Sequence, residues 1–394
     1  MAISYIDEIE VKDKRVFIRA DFNVPLDKEG TITDDIRIKS TLPTIKSVLD
    51  RGGSVILTSH LGRPKGKVDK KYSLAPVAKR LSELLGKEVM FLEECVGKVV
   101  EEKAQSLRPG DILLLENLRF HPEEEKNDEG FAKQLASLAD IYIDDAFAVS
   151  HRAHASVEAI TRFAKRKGAG FLIKNEITYF KRAMNKPERP LIAIVGGAKV
   201  SGKLEVLENL IQKVDKLLIG GGMAFTFLKA KGMEVGKSLV EDELLDTARE
   251  VMKQAEAKGV EVILPVDCVV ANKVDASAEY RTTGVKEIPA DWMGLDIGEQ
   301  TLKLFKEALK GVKTIVWNGP MGVFEIEPFS KGTYEVINLV AGSPALSIVG
   351  GGDTDVALHR SGKSDQISYI STAGGAFLEL LKGSTLPGIR ALEH

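Results

Sequence analysis

The sequence predicts an α/β protein with mostly parallel sheets, on three observations. Short β-branched runs alternate with longer amphipathic stretches from end to end, as successive βα units require. The amphipathic stretches, such as "SLAPVAKRLSELLG" and "EDELLDTAREVMKQAEAKG", space their apolar residues as helices do and end at glycine. The runs themselves are followed by charged and polar residues in the first half and by glycines in the second.

In the first half the strands are expected in "RVFIRADF", "SVILTSH", "EVMFLE", "DILLLEN" and "IYIDDAF". In the second they are expected in "LIAIVGG", "KLLIGGG", "VEVILPVD", "KTIVWNG", "LSIVGGGD" and "SYISTAG". Between the two sets "GFLIKNEITYFKRAMNKPERP" reads as one long helix over about residues 171–184, stopped by the Pro187–Pro190 segment. That segment is the expected boundary. It gives an N-terminal domain over 1–170, an interdomain helix over 171–186 and a C-terminal domain over 187–376.

A chain of 394 residues is long enough for two or three domains with separate cores. Its net charge of −2 gives no long-range attraction to nucleic acid or anionic membrane, so neither is an expected partner, and any basic site must be a local cluster. The N-terminal "MAISYIDEIEVKDKR" carries charges where an export signal needs an apolar stretch, and no apolar run approaches the ~18 residues of a membrane span. Cys95 and Cys268 are far apart and lack metal-type spacing, so they read as two buried thiols in a reducing compartment. A cytoplasmic location is expected.

In open α/β sheets ligands bind beyond the carboxyl ends of the strands. The two halves differ there. After the first-half strands come Asp21 and Asn23, His60 and Arg63, Asn117 and Arg119, then His151, Arg152 and His154, with Arg37 just before a helical stretch. Guanidinium groups match carboxylate and phosphate bidentately, so Arg37, Arg63, Arg119 and Arg152 together suggest an anion receptor. A single such arginine would be read as a surface ion pair. The second-half strands end instead in "GGAK" (196–199), "GGGMA" (220–224), "NGPMG" (318–322), "GGGDT" (350–354) and "TAGGA" (372–376). Glycine exposes backbone N–H groups to a close ligand, and an N–H array at a helix start favours phosphate. Five such endings suggest a nucleotide cleft.

"GGAKVSGKL" nearly fits the G-x-x-x-x-G-K pattern through Gly197, Gly202 and Lys203, but Leu204 stands where the Mg²⁺-binding hydroxyl should be. Asp353 is the candidate replacement ligand, since Mg²⁺ commonly takes one or two carboxylates with the substrate phosphates. The G-x-G-x-x-G dinucleotide fingerprint is absent from the sequence. A basic half for a small anion and a glycine half for a nucleotide suggest phosphoryl transfer, with Arg37 and Lys199 as the cations aimed at the group in flight. No base is placed to deprotonate an alcohol, which a carboxylate acceptor would not need.

The motifs "RVFIRADFNVP", "SHLGRP", "LLLENLRF", "DDAFAVSHRAHAS", "VGGAKVSGKLEVL", "GGGMAFTFLKAKG", "WNGPMGVFE", "GGGDT" and "STAGGAFLELLKG", in this order along nearly the whole chain, resemble phosphoglycerate kinase. The resemblance implies two Rossmann-like three-layer domains that close by hinge bending, with 377–394 returning to the first domain, in a monomer of glycolysis, and transfer between 1,3-bisphosphoglycerate and ADP giving 3-phosphoglycerate and ATP with Mg²⁺. By motif it assigns the phosphoglycerate to Asp21, Asn23, Arg37, His60, Arg63, Arg119 and Arg152. It assigns the nucleotide phosphates to Gly197, Lys199, Lys203, Gly351, Gly352 and Thr354, and the metal to Asp353. Gly221, Gly294, Leu295, Asn318, Pro320 and Glu325 would surround adenine and ribose, and Gly375, in the "TAGG" helix start, would meet the transferring group.

Overall fold

The structure, a computed structural model, describes residues 2–371 and 373–394. The chain divides into two compact units, Met1–Ile177 with Thr385–His394, and Thr178–Ser384. The helix Phe171–Met184 carries the division within it. The returning segment is therefore Thr385–His394 and not the expected 377–394. The helix Gly374–Lys382 buries Phe377 and Leu381 in the core of the second unit, which holds it there.

In the first unit, strands β1 (Arg15–Arg19), β2 (Ser54–Thr58), β3 (Met90–Leu92), β4 (Ile112–Leu115), β5 (Ile141–Asp144) and β6 (Lys167–Ala169) form one sheet in the order β3-β4-β2-β1-β5-β6. Every pairing is parallel. The central strands are apolar on both faces, as a parallel sheet covered by helices requires. Val16, Ile18, Val55, Leu57, Leu114 and Ile143 enter one core. Phe17, Ile56, Leu113, Leu115 and Tyr142 are buried on the opposite face. Strand β6 was not expected. Its "KGA" has no apolar run to reveal it, and it joins the sheet beside β5 through Gly168, where a Cβ would lie 2.5 Å from Ile9.

The helix Phe171–Met184 starts on buried polar groups of this unit. Thr44 Oγ1 accepts from Phe171 N at 3.0 Å, and Asp145 Oδ1 accepts from Leu172 N at 2.8 Å. Burial pushes the Asp145 carboxyl up to about 8, against the hydrogen bonds it makes with the Thr44 side chain and Leu172 N.

In the second unit come β7 (Leu191–Val195), β8 (Lys216–Ile219), β9 (Glu261–Ile263), β10 (Asp267–Ala271), β11 (Tyr280–Gly284), β12 (Met293–Ile297), β13 (Thr314–Asn318), β14 (Leu346–Gly350) and β15 (Tyr369–Ser371). Six of them make a parallel sheet in the order β15-β14-β13-β7-β8-β9, doubly wound about the β7/β13 pair. Along β7, Leu191, Ala193 and Val195 enter one core while Ile192 and Ile194 enter the other, so the unit has three layers.

The sequence also hides a three-stranded antiparallel sheet, β11-β10-β12. The expected strand in "VEVILPVD" is in fact two. β9 ends at Ile263 and β10 begins at Asp267, because Pro265 has no N–H for a ladder and interrupts the run. Both cysteines are buried and unpaired. Among the described residues no helix is long and apolar enough to cross a membrane.

Candidate active site

The carboxyl ends of β1, β2, β4 and β5 gather the polar residues of the first unit. Asn23 Oδ1 accepts from Gly62 N at 2.8 Å, joining the loops after β1 and β2. Arg119 Nη1 donates to Gly62 O at 2.8 Å, and Asn117 fixes the turn that presents it by accepting from Arg119 N at 3.0 Å. Asn117 Nδ2 also donates to Leu61 O and Tyr72 O. Arg37, in the first turn of the helix Ile36–Leu49, pairs with Asp21. Arg152 Nε donates to His151 Nε2 at 3.2 Å.

One further cation sits among them. Arg19, fully buried at the end of β1, donates to Ser156 Oγ at 2.9 Å and lies 3.3 Å from His60 Nδ1. Ser156 Oγ in turn donates to the buried Glu124 at 2.6 Å.

These cations set the state of both histidines. Burial, then Arg19, Arg119 and Arg37, hold His60 well below the usual imidazole range. Burial, then Arg19, Arg119 and Arg152, lower His154 to about 3. Both rings are neutral donors or acceptors near neutral pH. Arg119 is itself lowered from 12.5 to about 10, first by burial and then by Arg19, and its buried Nη2 has no hydrogen-bond partner among the described residues. A buried, under-partnered guanidinium is suited to an incoming anion. Arg63 is exposed, and among the described residues no hydrogen bond or ion pair ties it to the others.

The second unit holds a pocket of about 480 Å³ at the β7/β13 switch point. Gly197, Gly221, Gly294, Leu295, Pro320, Glu325 and Asp353, all named from the sequence, line it. The antiparallel sheet supplies Gly294 and Leu295 through β12. Its floor depends on tight backbone packing. Gly221, at φ +68°, lies where a Cβ would be 2.6 Å from Gly197 N, so glycine there serves the turn itself. Gly197, by contrast, has nothing among the described residues within 4 Å of the equivalent position, which leaves room for a ligand.

Asn318 and Thr354 do not line this pocket; they brace it. Asn318 Nδ2 donates to Gly350 O at 2.7 Å, and the buried Thr354 Oγ1 accepts from Gly319 N at 2.8 Å. Gly351 precedes the helix Gly352–Arg360, and Gly374 opens the helix Gly374–Lys382. A Cβ on Gly374 would lie 3.8 Å from Gly352 N, so the two helix N-termini converge. Their N–H groups and dipoles favour phosphate there, with Gly375 exposed in the first turn. Thr372 of the "TAGG" motif lies outside the described residues.

Lys199 is exposed on the loop after β7. Lys203 is lowered to about 8 by burial, an effect partly offset by Asp353 nearby. Leu204 begins the helix Leu204–Leu210 and packs on the apolar core, so position 204 supports packing rather than metal binding. Asp353 is an exposed carboxylate beside the pocket, and the donor set there fits Mg²⁺ held jointly with nucleotide phosphates.

Comparison with known proteins agrees with both units. The chain matches the family model of phosphoglycerate kinase over residues 6–384. It is 61% identical over 394 residues to the phosphoglycerate kinase of Geotalea uraniireducens and 62% identical over 395 residues to that of Geobacter metallireducens, covering 100% of this chain and 99% of each relative. The solved phosphoglycerate kinase of Coxiella burnetii superposes with a TM-score of 0.92 at 44% identity, over 99% of both chains. That of Pyrococcus horikoshii gives 0.82 at 34% identity, over 98% of this chain and 97% of the other. The chain belongs to the phosphoglycerate kinase family.

Proposed function

We infer that the chain catalyses the reversible transfer of a phosphoryl group between 1,3-bisphosphoglycerate and ADP, giving 3-phosphoglycerate and ATP in glycolysis. Family membership carries the reaction. The observation that best supports the assignment of sides is the shared field of Arg19, Arg37, Arg119 and Arg152 at His60 and His154. Such a field suits a small, highly charged anion. Asp21, Asn23, Arg37, His60, Arg63, Arg119 and Arg152 are proposed to hold the phosphoglycerate. Gly197, Lys199, Lys203, Gly221, Gly294, Leu295, Asn318, Pro320, Glu325 and the Gly351–Thr354 turn are proposed to hold the nucleotide, Asn318 and Thr354 by bracing.

The acceptor in the ATP-consuming direction is a carboxylate, already ionised at neutral pH, so the protein's task is positioning and charge neutralisation. Arg37, Lys199 and the Gly375 N–H are proposed to meet the transferring phosphoryl, where interactions that strengthen as charge spreads lower the barrier. Asp353 would hold Mg²⁺, which when bound with the nucleotide would neutralise phosphate charge. The assay is 3-phosphoglycerate-dependent formation of ADP from MgATP by the purified chain. ATP hydrolysis independent of 3-phosphoglycerate would overturn the reading.

We further propose that the enzyme is a cytoplasmic monomer, tested by sedimentation as a single 42.9 kDa species. Because Arg37 and Lys199 belong to different units, both must reach one phosphoryl group, and closure about the ends of the helix Phe171–Met184 is the proposed means. The radius of gyration should fall most with both substrates bound and little with either alone. Equal values in the apo and ternary states would defeat the hinge.

A further inference from the structure

One group of ligand-type side chains takes no part in either half of the proposed site. Glu94 and Cys95 follow β3, and His121 directly precedes the helix Pro122–Glu125. Glu94 Oε1, Cys95 Sγ and a His121 ring nitrogen all lie within 4.8 Å of one another. Among the described residues this is the only group of three or more such donors. Glu94 Oε1 and His121 Nε2 are 2.6 Å apart.

The arrangement has features that a surface ion pair does not need. Burial is graded: the sulfur is buried, the imidazole half-buried and the carboxylate exposed, which gives an ion a path from solvent to the thiol. The His121 ring is stacked on Phe131 with centroids 5.1 Å apart, which limits its rotation. Glu94 Oε1 also accepts from Cys95 N at 2.8 Å, tying the carboxylate to the backbone that carries the sulfur. Burial first, and then the carboxylates of Glu94, Glu124 and Glu116, hold the Cys95 thiol well above its ordinary range, a state that a bound cation would reverse.

Donors around a tetrahedral zinc ion, bound at about 2.0–2.3 Å, are about 3.3–3.6 Å apart. Glu94 and His121 would separate by less than about 1 Å, and the exposed Glu94 side chain can supply that motion. One sulfur, one imidazole and one carboxylate make a borderline-soft set that selects zinc over Mg²⁺ or Ca²⁺.

We propose that Glu94, Cys95 and His121 bind one zinc ion through Oε1, Sγ and Nε2, with water in the fourth position. On binding, the Cys95 thiol gives its proton to solvent and a Zn–S bond replaces the S–H bond, while the Glu94–His121 contact opens and the imidazole moves its proton from Nε2 to Nδ1, freeing the Nε2 lone pair for the ion. The ion would then join the loop after β3 to the segment directly following Arg119.

The test uses the full chain, stripped with chelator and titrated with Zn²⁺ against a chromophoric competitor in excess Mg²⁺, which occupies carboxylate-only sites. One equivalent should bind. Co²⁺ in its place should show the visible bands of a tetrahedral ion and a thiolate charge-transfer band. Cys95→Ser should remove the charge-transfer band, and His121→Gln should weaken zinc binding about tenfold or more. If Cys95→Ser does not fold, His121→Gln and Glu94→Gln, at the outer side, carry the test. No zinc binding, zinc binding unchanged in His121→Gln, or an octahedral cobalt spectrum without the charge-transfer band would each overturn the proposal.

Discussion

Replacing Arg119 by Met tests whether the basic cluster is built for a ligand or for the fold. The guanidinium is buried, yet among the described residues Nη2 has no partner, and the nearest carboxylate contact is 3.4 Å, to a half-exposed Glu125. Its lowering from 12.5 to about 10 corresponds to about 3 kcal/mol of disfavoured charge, which solvent screening reduces to about 1–2 kcal/mol. Methionine keeps most of the apolar stem and relieves that cost. It also loses the Arg119–Gly62 hydrogen bond, at about 1 kcal/mol. The two terms nearly cancel, so the apo denaturation midpoint should shift by less than about 1 kcal/mol equivalent. That is unlike the ~2–5 kcal/mol expected on truncating a side chain that packs a core. Affinity for 3-phosphoglycerate should fall by about 1.5–3 kcal/mol, the worth of a hydrogen bond to a charged group, while ADP affinity stays unchanged. Urea denaturation followed by circular dichroism and calorimetric titration of each ligand give the three numbers. An apo loss above about 2 kcal/mol with phosphoglycerate affinity intact would make Arg119 a structural post and refute the reasoning.

Lys199→Ala should lower kcat more than about tenfold with little change in nucleotide Kd, and the reverse pattern would move Lys199 to ground-state binding. Lys203, lowered to about 8, is neutral in the folded apo chain above that pH and charged in the unfolded one, so apo stability should rise from about pH 8 towards the ordinary lysine value. Phosphate brings the charge back, so MgADP binding should take up a proton in that window; titration in buffers of different ionisation enthalpy checks this, and equal heats would place Lys203 away from the phosphates. Thr354→Val removes the acceptor for the buried Gly319 N–H and should cost about 1–3 kcal/mol by thermal denaturation, with Thr354→Ser restoring it. A neutral valine would mean the turn holds without the bond.

The sequence made the loop residues legible and the strand residues much less so. Asp21, His60, Arg119 and Arg152 follow apolar runs, where a charged side chain has no packing task to explain it, so each stood out as a candidate. Arg19 is hidden inside "RVFIRADF" because a strand is read by its apolar alternation, and one arginine in it looks like a solvent-facing position. Yet Arg19 is fully buried and stands first among the charges acting on both His60 and His154. The antiparallel sheet escaped for a related reason: β11, "YRTTG", is exposed along most of its length and carries no buried stripe to read. Gly294 and Leu295 therefore came only from the family resemblance.

The glycine endings serve two different purposes. Gly196, Gly221 and Gly319 press backbone against backbone, and Gly196 would place a Cβ 2.2 Å from Pro320 O. The open positions at Gly197 and Gly352 are the ones that leave room for a ligand. A run of glycines thus carries two signals that composition cannot separate, the packing of turns on one another and the space left beside them. Only the neighbours of the missing Cβ distinguish the two. The same holds for Glu94, Cys95 and His121, whose spacing in sequence is uninformative because the loop after β3 and the loop before Pro122 become neighbours only when β3 pairs with β4. Chemistry carried by one loop can be read from a sequence, whereas chemistry shared between loops waits on the sheet that aligns them.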